Sequence, residues 1–113
     1  MNNKDDILIM PLLLLYFRAD MILFSKRNLI YKDYTWTVYS TSDPRVFGIP
    51  DSTIFNSIEG NEVVYIINKL MILWNYRFSN TGNKIEKLIH DKLPAGSKSQ
   101  EEVQAWIKEN LEF

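Results

Sequence analysis

The stretch DSTIFNSIEGNEVVYIINKLMILWNYRF, residues 51–78, decides the fold. From Val63 onward its apolar residues recur at spacings of three and four: Val63, Ile66, Ile67, Leu70, Met71, Trp74 and Phe78. That is the stripe of an amphipathic helix. Ile54, Phe55 and Ile58 extend the stripe upstream, and the oxygens of Asp51 or Ser52 suit a helix cap. Gly60 interrupts the pattern at a cost of about 1 kcal/mol relative to alanine. Either the helix breaks there or something packs closely on the backbone. The reading adopted is one long central helix over 52–77, kinked at Gly60 and ended by NTGN at 80–83.

Two shorter helices follow. Ile85, Leu88, Ile89 and Leu93 carry one stripe over 84–93, and Pro94 stops it. Ser99 with Glu102 forms a capping box, in which hydroxyl and carboxylate each accept from the other residue's amide. Val103, Trp106, Ile107 and Leu111 then mark a last helix over 100–111. The pair reads as a C-terminal helical hairpin.

Toward the N-terminus, MILF (21–24) and NLIY (28–31) flank the turn-like SKRN. YTWTVY (34–39) is rich in β-branched and aromatic residues. On a strand Tyr34, Trp36 and Val38 share one face and Thr35, Thr37 and Tyr39 the other. These segments predict a small antiparallel β region over 8–39, with a helix at 12–24 as the competing assignment. The whole reads as an α+β fold and a single domain, 1–113, a length that buries a core without disulfides or metals.

The run ILIMPLLLLYF (7–17) is too short to span a bilayer, which takes about 20 residues. Its flank NNKDD is net acidic, unlike a signal peptide. A buried core element is the expected role, with a signal or membrane anchor and a homo-oligomer interface as the alternatives. Net charge is −1 and no cysteine is present. Residues 1–48, 49–80 and 81–113 each balance basic against acidic side chains to within one, so charge-driven binding of nucleic acid is disfavoured. The last helix carries four glutamates and one lysine, which excludes a DNA-recognition helix. Absent thiols exclude disulfides and thiolate metal sites and fit a cytoplasmic location. Asn, Ile, Lys and Tyr are abundant, as in AT-rich coding sequence, and the chain suits a phage or mobile-element accessory protein.

The chemistry-bearing residues gather in DPRVFGIPDSTIFNSIEGNE, 43–62. Pro44, Gly48 and Pro50 forbid a regular element across 40–50. Arg45 is expected to bridge to Asp43, Asp51 or Glu59 and pin the loop. Asn56, Glu59 and Glu62 would line one polar helix edge. No phosphate loop occurs, and His90, the only histidine, is expected to be an exposed helical residue. The leading expectation is a small intracellular protein that binds another protein rather than an enzyme. Its candidate surface comprises Asp43, Arg45, Asp51, Asn56, Glu59, Glu62, Trp36 and Phe47. The first alternative is a metal-dependent enzyme or metal-binding protein built on Asp51, Asn56, Glu59 and Glu62. The second is a homo-oligomeric structural protein. No cofactor, membrane or nucleic acid is expected.

Overall fold

Gly60 is where the long helix begins, not where it bends. The computed structural model describes residues 24–76 and 78–112. It contains three α-helices: α1, Gly60–Leu73; α2, Ser79–Lys92; and α3, Gln100–Asn110. The Trp36 ring lies so close to Gly60 that a Cβ there would overlap it. Both readings of that glycine therefore hold at once, a helix boundary and a close approach.

The expected helix over 52–59 does not form. Side-chain acceptors capture its amides locally: the Asp51 carboxylate takes the Thr53 N–H at 2.7 Å, and the Asn56 side chain takes that of Ile58 at 3.2 Å. Such bonds compete with helical ones. The segment instead pairs with the lead-in to α3. Phe55 N–H donates to the Lys98 carbonyl, Gln100 N–H to that of Thr53, and Glu101 N–H to that of Asp51, at 2.8–3.0 Å. Of the upstream stripe only Phe55 is buried; Ile54 and Ile58 are exposed.

α1 ends earlier than expected, in a Schellman motif. Asn75 adopts φ 60°, its N–H donates to the Ile72 carbonyl, and the Tyr76 N–H donates to that of Met71. The NTGN tetrapeptide, expected to terminate the helix, lies in the first turns of α2. Gly82 serves there as the seat for the Phe24 ring, with no room for a Cβ. α3 begins at Gln100 as expected, and the Ser99–Glu102 capping box is formed, at 3.1 Å and 2.7 Å. α2 and α3 pack on each other and both pack on α1.

The core runs through all three helices. Val63, Ile66, Ile67, Leu70 and Met71 of α1 meet Ile85 and Ile89 of α2 and Val103 and Ile107 of α3. Phe24, Leu29 and Phe55 close it from outside the helices. Each such side chain contributes roughly 1.5–3 kcal/mol by leaving water.

The α+β expectation is overturned: the fold is helical, and no strand or sheet occurs among the described residues. Two isolated bridges remain, Thr35 with Glu59 and Ile54 with Ser99. Lys26–Asn28 forms a single 3₁₀ turn. Residues 29–39 carry strand-like composition but have no partner strand among the described residues. Carboxylates take the place of one. Glu86 accepts the amides of Ile30 and Tyr31 at 2.8 Å and 3.0 Å, and Glu59 accepts that of Thr37 at 2.9 Å. The part of the expected β region over 8–23, the alternative helix over 12–23 and the Ile7–Phe17 run lie outside the described residues. No helix among the described residues is long and apolar enough to cross a membrane.

Candidate functional site

Of the expected polar edge of Asn56, Glu59 and Glu62, Asn56 is exposed but the two glutamates are not solvated. Glu59 and Glu62 are buried, at 4% and 2% exposure, and Glu86 of α2 is fully buried. Each carboxylate accepts at least one bond from residues 30–39. Glu59 accepts from the Thr35 hydroxyl at 2.6 Å and from both the amide and the hydroxyl of Thr37. Glu62 accepts from the Tyr39 hydroxyl at 2.7 Å and the Asn56 amide at 2.9 Å. Glu86 adds the Tyr34 hydroxyl, at 2.8 Å, to its two amides. Burial pushes the Glu59 carboxyl up, but bonds from Thr35 and Thr37 outweigh it and hold the group below its ordinary range. Burial and the bond to Glu62 push the Tyr39 phenol up, and burial with Glu86 does the same for Tyr34.

Three acids thus staple residues 30–39 onto the bundle. Glu86 escaped the sequence reading altogether. Its only signal is position, between Gly82, Ile85 and Ile89 on the buried face of α2, where an apolar residue is expected.

Arg45 pairs with Asp43 alone among the three expected acids. The fork is bidentate, Nε at 3.0 Å and Nη2 at 2.7 Å, and it holds the Asp43 carboxyl down to about 2. The guanidinium also lies 4.4 Å from the centre of the Tyr39 ring. It stiffens its own turn and does not reach Asp51 or Glu59. The pin on the loop comes from elsewhere. Gln100, fully buried at the start of α3, donates to the Pro44 and Arg45 carbonyls and accepts the Asp51 amide. Tyr65 of α1 donates to the carbonyls of Phe47 and Gly48. The tip of the loop is therefore fixed at its main chain while its apolar side chains face water: Phe47 is 57% exposed and Ile49 71%.

Beside this tip an open groove of about 610 Å³ runs between residues 38–41 and α1. Val38, Val46, Val64 and Ile72 give it apolar walls, and Lys69 stands in its lining. Val38 itself is 94% exposed. Trp36 is half-buried, seated on Gly60 with the Lys26 ammonium 4.4 Å from its ring centre.

Of the four residues of the metal alternative, Asn56 touches Glu62 and Glu59 through its main chain, but the side-chain oxygens of the four are taken by different donors. Asp51 bonds Thr53, Asn56 bonds Ile58, and Glu59 and Glu62 bond different parts of the extended segment. Among the described residues no group of three or more histidines and acids is placed to hold a metal ion. His90 is an exposed residue of α2, as expected, and its ring is engaged on the surface. It stacks on Tyr31 with ring centres 3.6 Å apart, and its two nitrogens face Asp33 at 3.0 Å and Asp91 at 2.9 Å. Ser57 lines the same small recess as Asp33 and His90. With both ring nitrogens held by carboxylates, the imidazole has no free position for taking a proton from that hydroxyl. No family model matches the chain, and neither a curated protein nor a solved structure matches it.

Proposed function

We propose that this protein is a small cytoplasmic accessory protein that binds a partner protein across residues 36–49 and the adjoining face of α1. The observation that carries the reading is the immobilised main chain beneath exposed apolar side chains. Val38, Phe47 and Ile49 project into water from backbone tied by Glu59, Tyr65 and Gln100. Burying such groups releases water while little chain freedom remains to be lost, the condition under which contact area converts to affinity. Aromatic anchors beside a recess are also the usual centre of a protein interface.

The surface is narrower than the sequence indicated. Trp36, Phe47 and the Asp43–Arg45 turn belong to it. Glu59 and Glu62 act beneath it, as the frame, while the partly buried Asp51 and the exposed Asn56 brace the adjoining loop. The test is a selection of displayed random peptides on the immobilised protein. Recovered peptides are expected to lose binding to Val38→Asp and Phe47→Asp variants whose melting temperatures match the parent. Failure to recover any binder, or binders indifferent to both substitutions, overturns the reading.

A further inference from the structure

The main chain on either side of Thr37 is used on one edge only. Thr35 N–H donates to the Ile58 carbonyl and the Gly60 N–H donates to the Thr35 carbonyl, both at 2.8 Å. Two residues on, the same pair of bonds is made by side chains: Thr37 N–H donates to Glu59 Oε1 at 2.9 Å, and Asn61 Nδ2 donates to the Thr37 carbonyl. In extended chain, successive residues direct their N–H and C=O groups to opposite edges. Thr35 and Thr37 point at α1, so Trp36 and Val38 point away. Among the described residues none of the four groups of Trp36 and Val38 is hydrogen-bonded. An unpaired edge of this kind is a template for another extended chain.

We propose that the partner docks through an extended segment flanked by carboxylates, which pairs main chain to main chain with Trp36 and Val38. This deepens the reading above and rests on it. Recognition by added strand takes affinity from the backbone and selectivity from side chains that fall alternately into pockets. Here the exposed Val38 side chain gives an added strand an apolar cross-strand neighbour.

Charge selects the occupant. Lys26 sits at the Trp36 end and Lys69 in the groove at the Val38 end. Neither ammonium has a carboxylate partner among the described residues. In a two-fold antiparallel pair of this protein, Trp36 of one copy faces Val38 of the other. Lys26 and Lys69 from different copies then meet, and like charges oppose association. A partner segment with an acidic residue at each end meets attraction at both.

The probe is a blocked heptapeptide that alternates threonine and valine between terminal glutamates. Amide exchange and chemical shifts are followed on the full chain. The expected result is slowing of the Trp36 and Val38 amides by about tenfold or more, with Thr35 and Thr37 unchanged. Val38→Pro removes one edge donor at a site with no bond to lose, and the extended Thr37 tolerates a following proline. It is expected to weaken the probe about tenfold, and Lys69→Glu severalfold, each with the melting temperature kept. Displayed peptides that bind Val38→Pro as well as the parent would overturn strand addition and leave the interaction reading standing. A selection that recovers no binder removes both. A concentration-dependent dimer abolished by Val38→Pro would overturn the choice of partner in favour of a second copy. Should Val38→Pro fail to fold, unaltered exchange at Trp36 and Val38 in the parent with saturating probe overturns the proposal alone.

Discussion

The Trp36 ring occupies the space where any side chain at Gly60 would begin. Helix propensity alone favours Gly60→Ala by up to about 1 kcal/mol. Overpacking against a ring costs about 1–3 kcal/mol. The clash wins, and Gly60→Ala is expected to lower the urea midpoint. Pairing it with Trp36→Leu should recover part of the loss, because the smaller side chain vacates the site. A stabilised Gly60→Ala protein would contradict the packing described.

Glu86 accepts from two backbone amides and the Tyr34 hydroxyl in a fully buried position. Glu86→Ala strands all three donors, each costing about 1–3 kcal/mol when left unpaired. A loss of about 3 kcal/mol or more is expected in chemical denaturation. Glu86→Gln retains one acceptor oxygen and should cost less. Amide exchange at Ile30 and Tyr31 should accelerate in both variants, ahead of the α1 core.

His90 stands between Asp33 and Asp91 with its ring on Tyr31. Burial works against the imidazolium, but the bonds to Asp91 and Asp33 prevail and raise it above its ordinary 6.5. Its contribution is complete below pH 6.5 and is lost as pH rises through the raised value in the folded state. Asp33, Asp91 and Glu59 lie below their ordinary 3.8, 3.8 and 4.5, so theirs is complete above those values and is lost on acidification through the lowered ones. Stability should therefore peak between about pH 4.5 and 6.5. Urea midpoints across pH 3–9 check this. His90→Asn should flatten the decline on the neutral side and also shrink the acid limb, because the His90 bonds that help hold Asp33 and Asp91 down are lost, while the share carried by Glu59 stays.

Asn75 holds a left-handed conformation at the end of α1, at φ 60°. Asparagine tolerates that region better than other residues with a Cβ, and glycine occupies it without penalty. Asn75→Gly is expected to be neutral or slightly stabilising. Asn75→Ala should cost about 1 kcal/mol, read from thermal unfolding. Equal stability of the two variants would count against the Schellman end.

What the sequence revealed was what neighbours in sequence decide. The Ser99–Glu102 box needs residues three apart, and the α1 stripe from Val63 to Met71 needs one turn at a time. Both were legible. Glu59 and Glu62 read as a polar helix edge, and Glu86 drew no reading at all, because their main donors lie far off along the chain. Tyr39 reaches Glu62 from 23 residues away, and Ile30 reaches Glu86 from 56. The β region was misread for the same reason: YTWTVY has the composition of a strand, but helix-borne carboxylates meet its amides. The helix over 52–59 failed where Asp51 and Asn56 outcompeted the spacing of Ile54 and Ile58. Of the candidate surface, the exposure of Phe47 and the Asp43–Arg45 fork were within reach. The roles of Gln100 and Tyr65 were not, because nothing local marks a buried amide or phenol as the holder of a distant loop.

Gln100 also sets a timetable. The loop that displays Phe47 and Ile49 is held by a side chain 49–56 residues further along. A ribosome adds roughly 5–20 residues per second, so the loop waits roughly 3–10 seconds for its anchor during synthesis. Until then, of the two side chains that hold the loop, Tyr65 alone can be in place, and a nascent chain has no finished surface to offer. Capture of a partner through this loop would then sense synthesis of α3, because only a chain in which that helix has been made and docked can present it in full.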